Sequence, residues 1–332
     1  MGKRISGKAK RGTKRSRQLA RHAIDSAASQ LNAARGDSEV SHMMKMLKLM
    51  QAPMAFMRVV FLVMTCKALK ERSNIDSLEL FAGKKAYTRA VHRDGRIGVA
   101  LELTDPAENP DVMDFLSTLG FIMAVYMGSR LCLGGQKVTA PVCSTWVWVS
   151  RGTTGRTAQH PLGRTELHCV RDANRMVERC ILIILLAMCK GVMWVLEQPK
   201  GSLMEDHPRF RWLRRQFRIY RKYIEMKNYG GETTKGSWLY SAHACIDDID
   251  EFQAPFQGET ISLVKKYVDS NGQERISGNG NLKQSQHYPD KFGEALCKVY
   301  RKNEAVPGSA RACVRACVRA CVRACVCRCV GV

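Results

Sequence analysis

Three short stretches carry residue types that can do chemistry. Cys143 follows Pro141 and Val142 at the end of an apolar run. A proline there stiffens the chain and holds the thiol on a short loop. Such a thiol becomes a nucleophile only in positive surroundings or beside a base. Arg151, Arg156 and Arg164 follow in a Gly/Thr-rich loop, where they can lower the thiol's pKa or hold phosphates. The competing reading is a structural cysteine beside a solvated basic loop. Glu197 stands just past the apolar run Val192–Leu196, before Gln198 and Pro199. Partly desolvated, it would carry a proton at neutral pH; alternatively it is an acid at a helix entry. Phe81-Ala82-Gly83 closes a third apolar run, and Glu102 closes the next one. Glycine lets backbone approach a ligand closely, and an acid at the following strand end can accept both ribose hydroxyls of a nucleoside cofactor. The plain alternative is a turn glycine and a solvated glutamate.

These residues gain meaning from the elements that carry them. Apolar runs predict strands over Ile75–Phe81, Ile97–Leu103, Val138–Val142 and Val192–Leu196. Helices are predicted over Lys84–His92, Val112–Leu131, Thr165–Lys190 and Asp206–Phe217. A strand pair, Ile224–Tyr229 and Ser237–Ser241, follows across a Gly-Gly turn. Strands alternating with helices predict an α/β fold with a mostly parallel sheet flanked by helices. Ligands then bind beyond the carboxyl ends of the strands, where Gly83, Glu102, Cys143 and Glu197 are all placed.

The order of these motifs resembles the cytosine-C5 DNA methyltransferase family. Leu80-Phe81-Ala82-Gly83 is similar to its first cofactor motif, Pro141-Val142-Cys143 to its Pro-Pro-Cys loop, and Glu197-Gln198-Pro199 to its Glu-Asn motif. Lys227-Asn228-Tyr229-Gly230 is similar to the stretch that opens its Gln-x-Arg-x-Arg motif. The resemblance spans roughly Ile75–Tyr240, and more faintly Asn279–Tyr300. It implies a Rossmann-like methyltransferase fold that uses S-adenosylmethionine and no metal. It also implies that Cys143 adds to C6 of cytosine while Glu197 holds and protonates N3. Phe81, Gly83 and Glu102 would then hold the cofactor, with Asp111 the candidate for the acid that contacts adenine. Arg151, Arg156, Arg164 and Lys235 would contact nucleic acid. This sequence departs from the family at Lys85 (a second glycine there), Val142 (the second proline) and Gln198 (asparagine). Thr233, Lys235 and Ser237 stand for Gln, Arg and Arg. Two further readings stay open: an inactive nucleic-acid-binding protein on the same scaffold, and a methyltransferase for another substrate in which Cys143 is structural.

The chain of 332 residues carries 53 Lys+Arg against 30 Asp+Glu, for a net charge of +23. The excess is concentrated at the ends. Residues 1–22 hold nine basic residues and no acid, and residues 305–332 hold five Arg and no acid. A basic arm attracts polyanions, so nucleic acid, DNA ahead of RNA, is the expected partner; a solvated arm or an import signal is the competing reading. The basic stretch Arg209–Lys222, with Trp212 and Tyr220 interleaved, suits backbone and base contact or is a charged helix face. The division expected is a disordered basic arm (1–40), a Met-rich docking helix (41–72), the α/β domain (73–304) and a low-complexity tail (305–332). A membrane-surface role for the Met-rich helix and a soft-metal site in the Arg-Ala-Cys-Val tail are the lesser alternatives. No apolar run is long enough to span a bilayer and none follows the basic start as in a signal peptide. Hence the expected setting is nuclear or otherwise intracellular, with free thiols and no membrane or obligate protein partner.

Overall fold

The computed structural model of the protein describes residues 39–66, 74–103, 109–278, 281, 285 and 287–304. The basic arm up to residue 38, residues 67–72 of the Met-rich segment and the Arg-Ala-Cys-Val tail lie outside these residues. Among the described residues no helix is long and apolar enough to cross a membrane.

The Met-rich segment forms two helices, α1 (Glu39–Leu49) and α2 (Met54–Thr65), where one was expected. Pro53 divides them, because the residue before a proline is pushed out of the helical region. Met43, Met46 and Leu47 of α1 and Phe56, Val60 and Val63 of α2 are buried.

The chain then alternates: β1 (Ile75–Leu80), α3 (Ala86–Arg93), β2 (Gly98–Leu101), α4 (Pro110–Met113), α5 (Thr118–Arg130), β3 (Leu131–Thr139), α6 (Arg151–Thr154), α7 (His168–Cys189), β4 (Met193–Pro199) and α8 (Pro208–Gln216). There follow β5 (Tyr220–Glu225), β6 (Gly236–Ser241), the hairpin β7 (Val264–Val268) with β8 (Glu274–Gly278), and α9 (Asp290–Glu304). Six strands form one sheet in the order β2-β1-β3-β4-β6-β5. The strands β2, β1, β3 and β4 pair in parallel. Strand β6 is antiparallel to both its neighbours, so β5 runs in the same direction as β4. The architecture is therefore α/β, with a mostly parallel sheet flanked by helices.

Two apolar cores cover the two faces. Leu78 and Leu80 of β1 and Trp194 and Leu196 of β4 join α1, α2, α5, α7 and α8 on one side. Val138, Met193 and Val195 join α3 and α9 on the other. Strands buried on both faces explain the unbroken apolar runs of the sequence.

Several expected boundaries move. The helix read over Val112–Leu131 is broken between α4 and α5. There Asp114 Oδ1 accepts the Leu116 N–H at 2.8 Å, and Ser117 Oγ caps α5 by accepting the Gly120 N–H at 2.9 Å. Strand β3 begins at Leu131, earlier than expected, because Gly134 and Gly135 mask a stretch that pairs irregularly with β1. The strand read over Ile224–Tyr229 lies at Tyr220–Glu225, and residues Met226–Tyr229 form a 3-10 turn.

Within the sheet the path begins at β1, passes outward to β2 and returns to β3 on β1's other side. That reversal opens a crevice beyond the carboxyl ends of β1 and β3.

Candidate functional site

The turn after β1 is tight. Phe81, Gly83 and Lys85 have φ of 61°, 51° and 56°, a left-handed conformation that costs non-glycine residues strain. The Gly83 N–H donates to Glu102 Oε2 at 2.7 Å, tying the ends of β1 and β2 together. A Cβ on Gly83 would lie 3.2 Å from His287 Nδ1, so a side chain there would crowd this wall. The Phe81 ring meets Phe115 edge-on, with centroids 5.0 Å apart.

These groups line one end of a cavity of about 370 Å³ at the switch point, a volume within the range of small-molecule sites. Cys143, Glu197, Lys235 and Tyr288 line the other end. Cys143 is half-buried in the loop after β3. That loop is pinned by Gln198, whose Nε2 donates to the Pro141 carbonyl at 2.7 Å and whose Oε1 accepts from Ser202 Oγ at 2.9 Å. Glu197 is buried near the end of β4. Its Oε2 accepts from the Tyr288 hydroxyl at 2.9 Å. Its Oε1 lies 3.6 Å from Lys235 Nζ and has no hydrogen-bond donor among the described residues.

Burial pushes the Cys143 thiol above its ordinary pKa; the Lys235 charge opposes that shift and Glu197 adds to it. Burial, and then Glu197, push the Tyr288 hydroxyl well above its ordinary value, so it is a fixed proton donor. Beneath the site, burial raises Glu79 of β1 to about 7, against the hydrogen bonds it accepts from Thr88.

The cavity thus gathers Phe81, Gly83, Glu102, Cys143, Glu197 and Lys235. Lys235, expected as a nucleic-acid contact, lies inside the site beside Glu197. Two expected residues lie elsewhere. Asp111 is exposed in the first turn of the one-turn helix α4 and does not line the cavity; Asp114, just past the end of that helix, lines it instead. Arg156 is fully buried, so it cannot be a surface contact for nucleic acid. Its guanidinium stacks 3.4 Å from the Trp146 ring centroid and donates to Asn174 Oδ1 at 2.8 Å and to the Val170 carbonyl at 3.2 Å. Arg151 is exposed at the start of α6, and Arg164 is also exposed, with its stem against Gly155. Much of the basic stretch Arg209–Lys222 is neutralised within the fold. Arg211 pairs with Asp206, Arg214 and Arg221 pair with Glu205, and Lys222 pairs with Asp250.

Tyr288, His287 and Asp114 escaped the sequence reading. Asp114 had a local signal in the Asp-x-Leu-Ser turn before α5. Tyr288 had none, since it stands 91 residues from Glu197.

Fold and site together define an α/β protein with a two-ended cavity at the switch point of its sheet. No family model matches the chain, and no curated protein matches it. A solved structure, that of the S. pombe Dnmt2 methyltransferase, matches with a TM-score of 0.32 and 9% identity, over 78% of this chain and 100% of that chain. A likeness at that level carries no weight for either fold or function.

Proposed function

We propose that this protein is an S-adenosylmethionine-dependent methyltransferase that acts on C5 of cytosine in DNA. The observation that carries this reading is one cavity with two chemically distinct ends. A half-buried thiol faces a carboxylate with an unengaged oxygen at one end, and a glycine turn is tied to a strand-end carboxylate at the other.

The residues at the second end fit a nucleoside cofactor. Gly83 leaves the backbone bare, Phe81, Leu101 and Phe115 offer an apolar slot, and Glu102 supplies a carboxylate for ribose hydroxyls. S-adenosylmethionine supplies an electrophilic methyl group when bound there. At the first end the Cys143 thiolate adds to C6, forming an S–C6 bond and shifting the C5–C6 π pair toward C5. Protonated Glu197 delivers its proton to N3, so the added electron density is not left as a bare anion. C5 uses the shifted pair to form a bond to that methyl group, the methyl–sulfur pair leaving with the cofactor. Loss of the C5 proton to water then re-forms C5=C6, returns the S–C6 pair to Cys143 and lets N3 give its proton back to Glu197, restoring the aromatic ring.

A base reaches such a cavity only outside its stack. Val142, Trp148 and Val149 are exposed apolar residues close along the chain to Cys143, with exposed Arg151 following them. Aromatic and cationic side chains together suit a strand with a displaced base.

The test is calorimetric binding of S-adenosylmethionine to the full chain, with Glu102→Ala as control. It is followed by methyl transfer to cytosine-containing DNA, with Cys143→Ala as control. Absence of cofactor binding by the folded protein would sink the proposal and favour the second reading, an inactive nucleic-acid-binding scaffold. The observation on that reading's side is the half-buried Cys143 thiol, held above its ordinary pKa by desolvation.

A further inference from the structure

The resting thiol raises a question of control. Cys143 faces ionisable groups from three elements. Glu197 comes from the end of β4, Lys235 from the segment entering β6, and Tyr288 from the approach to α9. Glu79 of β1 acts on Tyr288 from behind. The side chains of Glu197 and Lys235 are only 5% and 13% exposed, so water screens their charges weakly. The Tyr288 hydroxyl engages Glu197 Oε2, which leaves Oε1 as the oxygen toward Lys235. At 3.6 Å the ammonium is not hydrogen-bonded to that oxygen. It donates instead to the Ser285 carbonyl at 3.3 Å. One cation is therefore shared between a carboxylate and a thiol.

We propose that Glu197 gates Cys143 through Lys235. While Glu197 is ionised and its Oε1 is unengaged, the carboxylate takes up the Lys235 field and Cys143 rests as a thiol. Neutralising Glu197, by a proton or by donor groups of a bound base, leaves that field to Cys143, whose proton passes to solvent. The inference rests on the reading of Cys143 as the attacking group. It also links the two halves of the chemistry, because the protonated Glu197 that can deliver a proton to N3 is the form that frees Lys235. Lys235 is on this account a positioning residue for charge rather than a contact to the phosphate backbone, and an empty site stays inert toward stray electrophiles.

The test needs neither cofactor nor DNA. The full chain is alkylated with iodoacetamide, a neutral reagent, between pH 6.5 and 9, and the Cys143 peptide is quantified by mass spectrometry. Exposed Cys169 is the internal reference, and fully buried Cys180 must stay unlabelled in a folded sample. Glu197→Gln is expected to raise the Cys143 rate at pH 7.5 about tenfold, the effect of a one-unit fall in midpoint. Lys235→Met is expected to lower it by a similar factor, and Lys235→Arg to hold it near the native rate. The double variant Glu197→Gln/Lys235→Met must lose the gain of Glu197→Gln. If Lys235→Met labels Cys180, Lys235→Gln, which keeps a polar end for the Ser285 carbonyl, takes its place. An unchanged or slower Glu197→Gln, or a gain that survives without Lys235, overturns the gate. Because the readout is thiol chemistry, a failure of methyl transfer alone leaves it intact. Active transfer with unmoved alkylation would instead remove the gate and keep the methyltransferase reading.

Discussion

Gln198 donates its side-chain amide to the carbonyl of Pro141, 2.7 Å away, and so ties the end of β4 to the loop that carries Cys143. Both groups are buried, so this bond sets the position of the thiol relative to Glu197, the residue before Gln198. Gln198→Met keeps the length of the side chain and removes the donor without adding a buried charge. It is expected to lower unfolding free energy by about 1–3 kcal/mol, the cost of a buried acceptor left without its partner. Chemical denaturation measures this, and any methyl transfer is expected to fall at least tenfold alongside.

Glu102 holds the other end of the cavity together. Glu102→Ala leaves the Gly83 N–H without its 2.7 Å acceptor and removes the carboxylate proposed for ribose hydroxyls. S-adenosylmethionine affinity is expected to weaken about tenfold or more, roughly 1.4 kcal/mol. Titration calorimetry decides it, and undiminished affinity would place the cofactor elsewhere.

Lys85 stands where the resembled family has a glycine, and its φ of 56° is a conformation that suits glycine. Lys85→Gly relieves strain of roughly 1–2 kcal/mol, offset in part by the freer unfolded chain. A net gain of roughly 0.5–1 kcal/mol is expected in denaturant titrations. A loss would mean that the turn tolerates lysine without strain.

Two buried groups oppose each other in their pH dependence. Burial raises Glu79 from 4.5 to about 7, so the stability it allows is full at low pH and falls as pH rises through that window. Burial, and then Arg156, lower His207 from 6.5 to about 4. Its stability is therefore present above 6.5 and is lost as pH falls toward 4. Each contribution is roughly 3 kcal/mol and they nearly cancel in the native chain. Glu79→Gln is expected to leave a stability that climbs between pH 4.5 and 6.5. His207→Asn, which keeps a helix-capping side chain, is expected to leave one that declines there. Urea titrations across this range test the pair, and two flat profiles would refute the assignment.

Arg156 and Arg151 lie close in sequence and differ in environment. Arg156→Met empties a buried network around Trp146 and is expected to cost about 3 kcal/mol or more. Arg151→Ala is expected to change stability by less than about 0.5 kcal/mol. On the proposed function it lowers DNA affinity, and it reduces the slope of log affinity against log salt by about 0.7–0.9. Reversal of these two outcomes would return Arg156 to the surface.

The order of the strands and of the candidate residues at their ends was legible in the sequence, because a parallel sheet buried on both faces writes each strand as an apolar run. Gly83, Glu102, Cys143 and Glu197 therefore declared themselves at or just past the ends of such runs, and the α/β class followed from their alternation. Local pattern reports only whether a segment's own faces are buried. It could not distinguish Arg156, stacked on Trp146, from Arg151 in solvent, since both read as charge in a loop. Nor could it separate Asp111 from Asp114, whose places depend on a one-turn helix. Packing of the layers brought Lys235 to Glu197, through the antiparallel pairing of β6 with β4, and brought Tyr288 to the same carboxylate from the far side of a hairpin. Those contacts join segments far apart in the chain, and only the tertiary structure, where burial on one element is completed by another, decided them.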